Sequence, residues 1–496
     1  MNASPKIQFS NMPRLRPRFQ EKHPGRGFRL FQPGGCDGFS SVRTCLATLV
    51  LAVAWCCACA SAKPSDANPF DPLKFENYQA RAARGEARGQ ALLGRCYATG
   101  QGVAQNPAAA VKWYRKAADQ GDARGQCGLG SCYAMGLGVE KDAAEAAKWY
   151  CKAAVQGDAG AQANLGSCYY QGLGVEKDLV EAVKWWRKAA EQDYADGQSK
   201  LGVLYLKGEG VEKDYAEAVK WLRKAAAQGY AEAQYNLGSC YHNGHGVEKD
   251  LAEAVKRFRK AAVQGYAEAQ YYLGSRYYNG EGVEKDLAEA VKWFRKAAEQ
   301  AHADAQFQLG NCYYQGEGVA KDFAEAVKWF RKSAEQGHAV AQNNLGLCFY
   351  QGEGVAKDAT EAVKWYLKAV EQGYAVAQNN LGRCYHKGEG VAKNEVEAYA
   401  WYHLAAKTDA AAAKCRDDLE QALSAQQLAR AQKRAAELEA LINAAPQARQ
   451  VKHKSDSSDP SDPSDPSDPS DPSDLSDLSD PSDPSDPSDP SDSSDN

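Results

Sequence analysis

Three kinds of residue in this chain have types and spacings that could do chemistry. Seven cysteines (Cys96, Cys132, Cys168, Cys240, Cys312, Cys348 and Cys384) fall 36 residues apart or at multiples of that interval. Thiols placed so regularly could exchange disulfides or hold a soft metal ion. Glycine pairs such as Gly316 and Gly318, with Lys321 three residues on, have the composition of a loop that cradles phosphate. His242 and His245 bracket a turn and offer two imidazoles to a metal.

Each of these chemistries makes a demand that the surrounding sequence does not meet. A phosphate loop needs a strand feeding a glycine turn that opens a helix. Here the glycine pair recurs in nine copies between helical segments, which reads as a helix stop. A metal site at His242 and His245 wants a third ligand, and no repeat supplies one. Equivalent positions in adjacent units of a helical array stand about 10 Å apart, beyond the reach of a disulfide. The seven cysteines therefore read as small buried hydrophobes. Cys127, Cys151 and Cys415 fall off the pattern and are candidates for free thiols. No Ser-x-x-Lys, Gly-x-Ser-x-Gly or His-Glu-x-x-His motif occurs. A catalytic site is one asymmetric place, whereas this chain repeats one surface, so no catalytic residue, metal or cofactor is expected.

The elements that position these residues follow from the period. Nine units of 36 residues tile residues 85–408, the first beginning at Gly85 and the last at Gly373. In residues 229–264, Ala231, Ala233, Leu237 and Tyr241 mark a first helix that Gly244 and Gly246 stop. Asp250 with Glu253 three residues later is a capping box for a second helix. That helix carries Leu251, Ala254, Val255, Phe258 and Ala261 on its apolar face, with Lys256, Arg259 and Lys260 outward. Trp113 and its equivalents through Trp401 share one position, with Arg257 as the exception, and read as packing between units. One such pair cannot close a core, so stacked neighbours must, which predicts an all-α solenoid. Residues 409–445 read as helices capping the open end, and residues 63–84 as a linker or first cap.

The two ends differ in character. Residues 1–44 carry eight Lys and Arg against two acids, and the uncharged run Cys45–Ala62 ends in Ala60-Ser61-Ala62. This predicts an export signal over residues 1–62; an uncleaved anchor or a lipid-bearing cysteine remain alternatives. Residues 446–496 are dominated by Ser-Asp-Pro at a period of three, with fourteen Asp and no Lys or Arg after Ser455. Such a chain cannot bury enough surface to offset its ordering entropy and is expected to be disordered. With a formal net charge of −4 overall, there is no reason to expect a nucleic-acid partner.

The pattern A-E-A-Q-Y-N-L-G-x-x-Y-x-x-G-x-G-V-x-K-D-x-x-E-A-x-x-W-x-x-K-A-A closely resembles the Sel-one-like repeat (SLR) family, relatives of the tetratricopeptide repeats. The resemblance implies a right-handed superhelix whose first helices line a concave, partner-binding surface, and an exported or envelope-associated adaptor. The cysteine-rich branch of that family pairs cysteines eight residues apart. Those places here hold Ala226 and Gln234, or Ala262 and Gln270, so its bridges are absent. The family's groove positions map to Tyr235, Tyr271 and Phe307; to Ser239, Ser275 and Asn311; and to Tyr170, His242, Tyr278, Tyr314, Tyr350 and His386. In peptide-clamping relatives, Lys and Asn hold a C-terminal carboxylate. Asn236, Asn344 and Asn380 match the asparagine, but the preceding lysines are missing. The expectation is a non-catalytic scaffold for a protein or peptide, with a β-lactamase-like hydrolase or a peptidoglycan- or glycan-binding protein as alternatives. No membrane insertion is expected beyond the N-terminal signal.

Overall fold

The computed structural model describes the backbone of residues 72–455 and the side chains of residues 74–444. The export signal, residues 63–71 of the linker and the Ser-Asp-Pro repeats lie outside the described residues. Within them the chain is all helical. Helix α1 (Pro72–Ala83) precedes nine helix pairs, from α2 (Ala87–Thr99) and α3 (Pro107–Asp119) to α18 (Ala375–Lys387) and α19 (Glu395–Ala405). Helices α20 (Ala410–Ala422) and α21 (Ala425–Ser455) close the array. The closing helix thus runs to Ser455, past residue 445 where the sequence reading ended the cap and began the tail.

The seventh unit shows how the sequence makes a pair. Its first helix, Ala303–Gln315, ends where Gly316 takes a left-handed φ of 77° and donates its N–H to the Cys312 carbonyl at 2.8 Å. Gly318 also has a left-handed φ, 72°. A Cβ there would lie 2.1 Å from the carbonyl oxygen of Leu287, at the start of the previous unit's second helix. The first glycine stops a helix; the second lets one unit's turn sit on its neighbour. Asp322 then accepts the N–H of Glu325 at 3.0 Å and opens the second helix, Phe323–Glu335. Only half of the expected capping box forms. The Asp322 N–H goes to the Tyr313 carbonyl at 2.9 Å, which leaves the Glu325 carboxylate to accept from Lys328 at 2.7 Å.

Burial follows the predicted stripe. Leu309, Cys312, Ala326, Val327, Phe330 and Ala334 form one cluster. Gly310 allows the two helices to close, because a Cβ on it would meet the Phe330 ring at 2.6 Å. Burying a side chain such as Phe330 contributes about 1.5–3 kcal/mol. Tryptophans join neighbours as expected: Trp365 is buried in a cluster that runs from the sixth and seventh units into its own, apart from the rest of its helix. Lysines one turn on cover the rings, with Lys332 Nζ 4.2 Å from the Trp329 centroid.

A second link between helices gave no sequence signal. Gln336 donates to Gln306 Oε1 at 2.6 Å, and Gln306 in turn donates to the Ala298 carbonyl of the preceding unit at 3.0 Å. The same amide pair recurs within units from Gln120–Gln90 to Gln372–Gln342, tying each second helix to its own first helix. First helices of adjacent units touch directly in places, Ala87–Thr99 on Ala123–Met135 for instance, and no two second helices approach as closely. The first-helix side is therefore the short, inner side of the array.

Candidate partner groove

The expected groove residues form two rows along the first helices. In the first row, Tyr235, Tyr271 and Phe307 are half-buried. Each lies over the buried ring of its own second helix, with centroids 5.8 Å from Phe258, 6.0 Å from Phe294 and 6.1 Å from Phe330. Each also meets the residue that precedes the next first helix: Tyr266 at 5.4 Å, His302 at 4.9 Å and His338 at 4.7 Å. The result is an aromatic band across the fifth to eighth units. Burial pushes the Tyr271 hydroxyl up to about 12, so it stays a neutral donor.

The second row does something different from what its position suggests. Tyr170 donates its hydroxyl to Glu209 at 2.8 Å and Tyr314 donates to Glu353 at 2.6 Å; Tyr278 pairs with Glu317 and Tyr350 with Glu389. Each acceptor sits in the next unit's turn. These tyrosines are struts between units as well as groove walls, and their hydroxyls are engaged. Ser239 and Ser275 donate to carbonyls one turn back, those of Tyr235 and Tyr271. Asn311 is half-buried and His386 exposed.

Where the pattern breaks, the geometry changes. Arg276 replaces a repeat cysteine, is buried, and pairs with Glu281 while facing His242 Nδ1 at 3.3 Å. Burial, then the Arg276 charge, holds His242 below its ordinary value. His245 instead stacks on Tyr215 with centroids 4.4 Å apart, so the two histidines point to different partners. In the fourth and fifth units the groove is charged: Lys200 meets Glu232 at 3.0 Å and Tyr230 donates to Asp196 at 2.6 Å. Burial works against the Lys200 charge, but Glu232 and Asp196 outweigh it and raise its pKa. Toward the C-terminus, Asn380 donates to Asn343 at 2.8 Å and Asn343 to Asn344 at 3.3 Å.

The repeat cysteines take no part in this surface. Cys312 and Cys348 are buried and their thiols pushed up to about 12 by burial first and a nearby glutamate second. None of the ten described cysteines is in a disulfide; Cys151 is exposed and Cys127 buried. Sequence reasoning missed the residues before the first helices (Tyr266, His302, His338) and the glutamates of the turns. Their signal was present as a repeated aromatic or His at one place and a repeated Glu between two glycines.

Comparison with known proteins agrees with this architecture. The Sel1 repeat model matches nine consecutive segments, from residues 87–122 to residues 375–407, well over half of the chain. A protective antigen present in uropathogenic Escherichia coli strains, displaying an SLR fold, is 33% identical over 79% of this chain and 99% of that one, with a TM-score of 0.41. A Sel1 repeat protein from Oxalobacter formigenes is 36% identical over 49% of this chain and 96% of its own, with a TM-score of 0.45. Among curated proteins none matches the sequence. Nine matched units, each with the paired helices, stopping glycines and capped second helix described above, establish that the chain belongs to the Sel1 repeat family.

Proposed function

We propose that the chain is a non-catalytic scaffold that holds an extended segment of a partner protein against its first-helix face. The observation that carries this reading is the band Tyr235, Tyr271 and Phe307 with its stacked neighbours Tyr266, His302 and His338. It offers flat aromatic area at low entropic cost, bordered by amides and paired charges that can orient a backbone. No unique group of reactive side chains interrupts it: the shifted thiols and phenols recur at repeat positions and owe their shifts mainly to burial.

The basic, then apolar N-terminus supports export, and with it a partner in the envelope or outside the cell. Mass spectrometry of the mature N-terminus tests that part: a first residue near Lys63 supports cleavage, and an intact leader contradicts it.

Binding is tested with the full chain. Partners retained on the immobilised protein are identified by mass spectrometry, and the strongest is titrated against Asn311→Arg. The substitution puts a long charged side chain into the half-open groove without touching the buried core. It should weaken binding at least tenfold while the circular dichroism spectrum is unchanged. Equal binding would remove the groove from the account. Turnover of a β-lactam by the purified protein would favour the enzymatic alternative.

A further inference from the structure

The first row of the groove is empty of rings at its N-terminal end. Where later units place Tyr235, Tyr271 and Phe307, the first two place Ala91 and Cys127. A cavity of about 300 Å³ opens there, with Ala91, Cys127, Gly128, Met135 and Tyr114 among its walls. The array thus fills this place with its own aromatic side chains in the middle units and leaves it open in the first ones.

The cavity is basic at its rim. Arg95 and Arg124 line it, and Arg88 is close enough that its charge, after burial, helps depress the Arg124 pKa. Among the described residues none of these three arginines forms an ion pair, and Arg95 Nε is buried with no acceptor. One acid, Asp158, shares the wall. Its Oδ1 accepts the Ala161 N–H at 2.8 Å as a helix cap, and burial raises its pKa against the pull of Arg124. The rim keeps a net positive charge and an unmet donor.

We propose that the occupant is this chain's own tail segment around Leu475 and Leu478. After Ser455 the tail holds fourteen Asp and no Lys or Arg, and these two leucines replace proline in an otherwise Ser-Asp-Pro repeat. In an extended chain of about three residues per turn, leucines three apart share one side and the aspartates Asp474, Asp477 and Asp480 share another. The leucines enter the apolar cavity while the carboxylates meet Arg88, Arg95 and Arg124. The twenty residues from Ser455 to Leu475 span at most about 66–72 Å, a length comparable with the array. Seven unit steps of about 10 Å separate the ninth unit from the second, and the chord of a curved array is shorter than that contour. The docking stands independently of the partner groove, which lies in later units.

The test uses full-length protein. A fluorescent peptide of residues 472–482 is titrated by anisotropy into the L475S/L478S chain, whose own segment is disabled. The peptide should bind saturably and more weakly as salt rises from 0.05 to 0.5 M, on the order of the Debye screening range. Adding Arg95→Gln and Arg124→Gln should lower its affinity at least tenfold, as should Ala91→Phe, which fills the cavity. Wild-type chain should bind the peptide at least fivefold more weakly than L475S/L478S chain, by a factor independent of protein concentration. No binding to L475S/L478S chain, or binding indifferent to all three substitutions, overturns the proposal. Equal binding by wild-type and L475S/L478S chains overturns it as well. Competition that grows with protein concentration would assign the cavity to a second copy and overturn the intrachain assignment.

Discussion

Two residues break the array's own backbone rule. Seven of the nine units begin with glycine, but Asp193 and Ala301 occupy that place with φ of 58° and 63°. Asp tolerates this conformation, and Asp193 also accepts from Gln198 at 3.1 Å. Ala301 has no such compensation. Ala301→Gly relieves about 1–2 kcal/mol of left-handed strain against about 0.4–1 kcal/mol of added unfolded-chain entropy. A rise of up to about 1.6 kcal/mol in stability is expected in urea titration, with a smaller effect at Asp193→Gly; a loss at Ala301 would contradict the strain. The thiols give a second prediction at this scale. With folded pKa values raised to about 12, Cys312 and Cys348 stay protonated through pH 8 and should resist iodoacetamide in the native protein. Cys151, exposed, should alkylate within minutes, as peptide mapping would show. Their character was legible in the sequence because one position repeated seven times. The second-row tyrosines were only half legible: their place was evident, but the glutamates they bind lie 39 residues on.

Helix boundaries were legible because glycine, aspartate and apolar spacing all point to the same ends. What the pattern hid was which polar groups join the helices. The Gln ladder carried no signal in the sequence, yet Gln306 is buried and bridges three helices. Gln306→Ala removes two hydrogen bonds, to Gln336 and to the Ala298 carbonyl, at about 0.5–1.5 kcal/mol each. Asp322→Ala removes an exposed cap and should cost about 1 kcal/mol, so the glutamine is expected to matter as much or more. Denaturant titration of both variants measures the order, and a Gln306→Ala change below that of Asp322→Ala would contradict the ladder. Tyr314→Ala, by contrast, disturbs two units at once. Its ring lies against Phe323 and Phe330 and its hydroxyl reaches Glu353, so a loss of binding in that variant would not isolate the groove.

At the scale of the molecule, each unit packs on its neighbours and on little else, as contacts within units, between adjacent units and onto the closing helices show. Stability is then a sum of unit and interface terms. Removing residues 265–300, one whole unit, should leave the remaining helices formed, with circular dichroism falling in proportion. Removing an equal length that starts mid-helix should not. The solenoid itself was readable from the period alone, whereas the groove's variation along the array was not. Its basic cavity, charged belt, aromatic band and amide row arise from side chains that become neighbours only once units stack. The central claim, that the first-helix face holds the partner, is tested most directly by photocross-linking. A benzophenone amino acid at Asn311 should yield partner adducts, and one at the exposed Lys328 on the second helix should yield none. Adducts from Lys328 with none from Asn311 would contradict it.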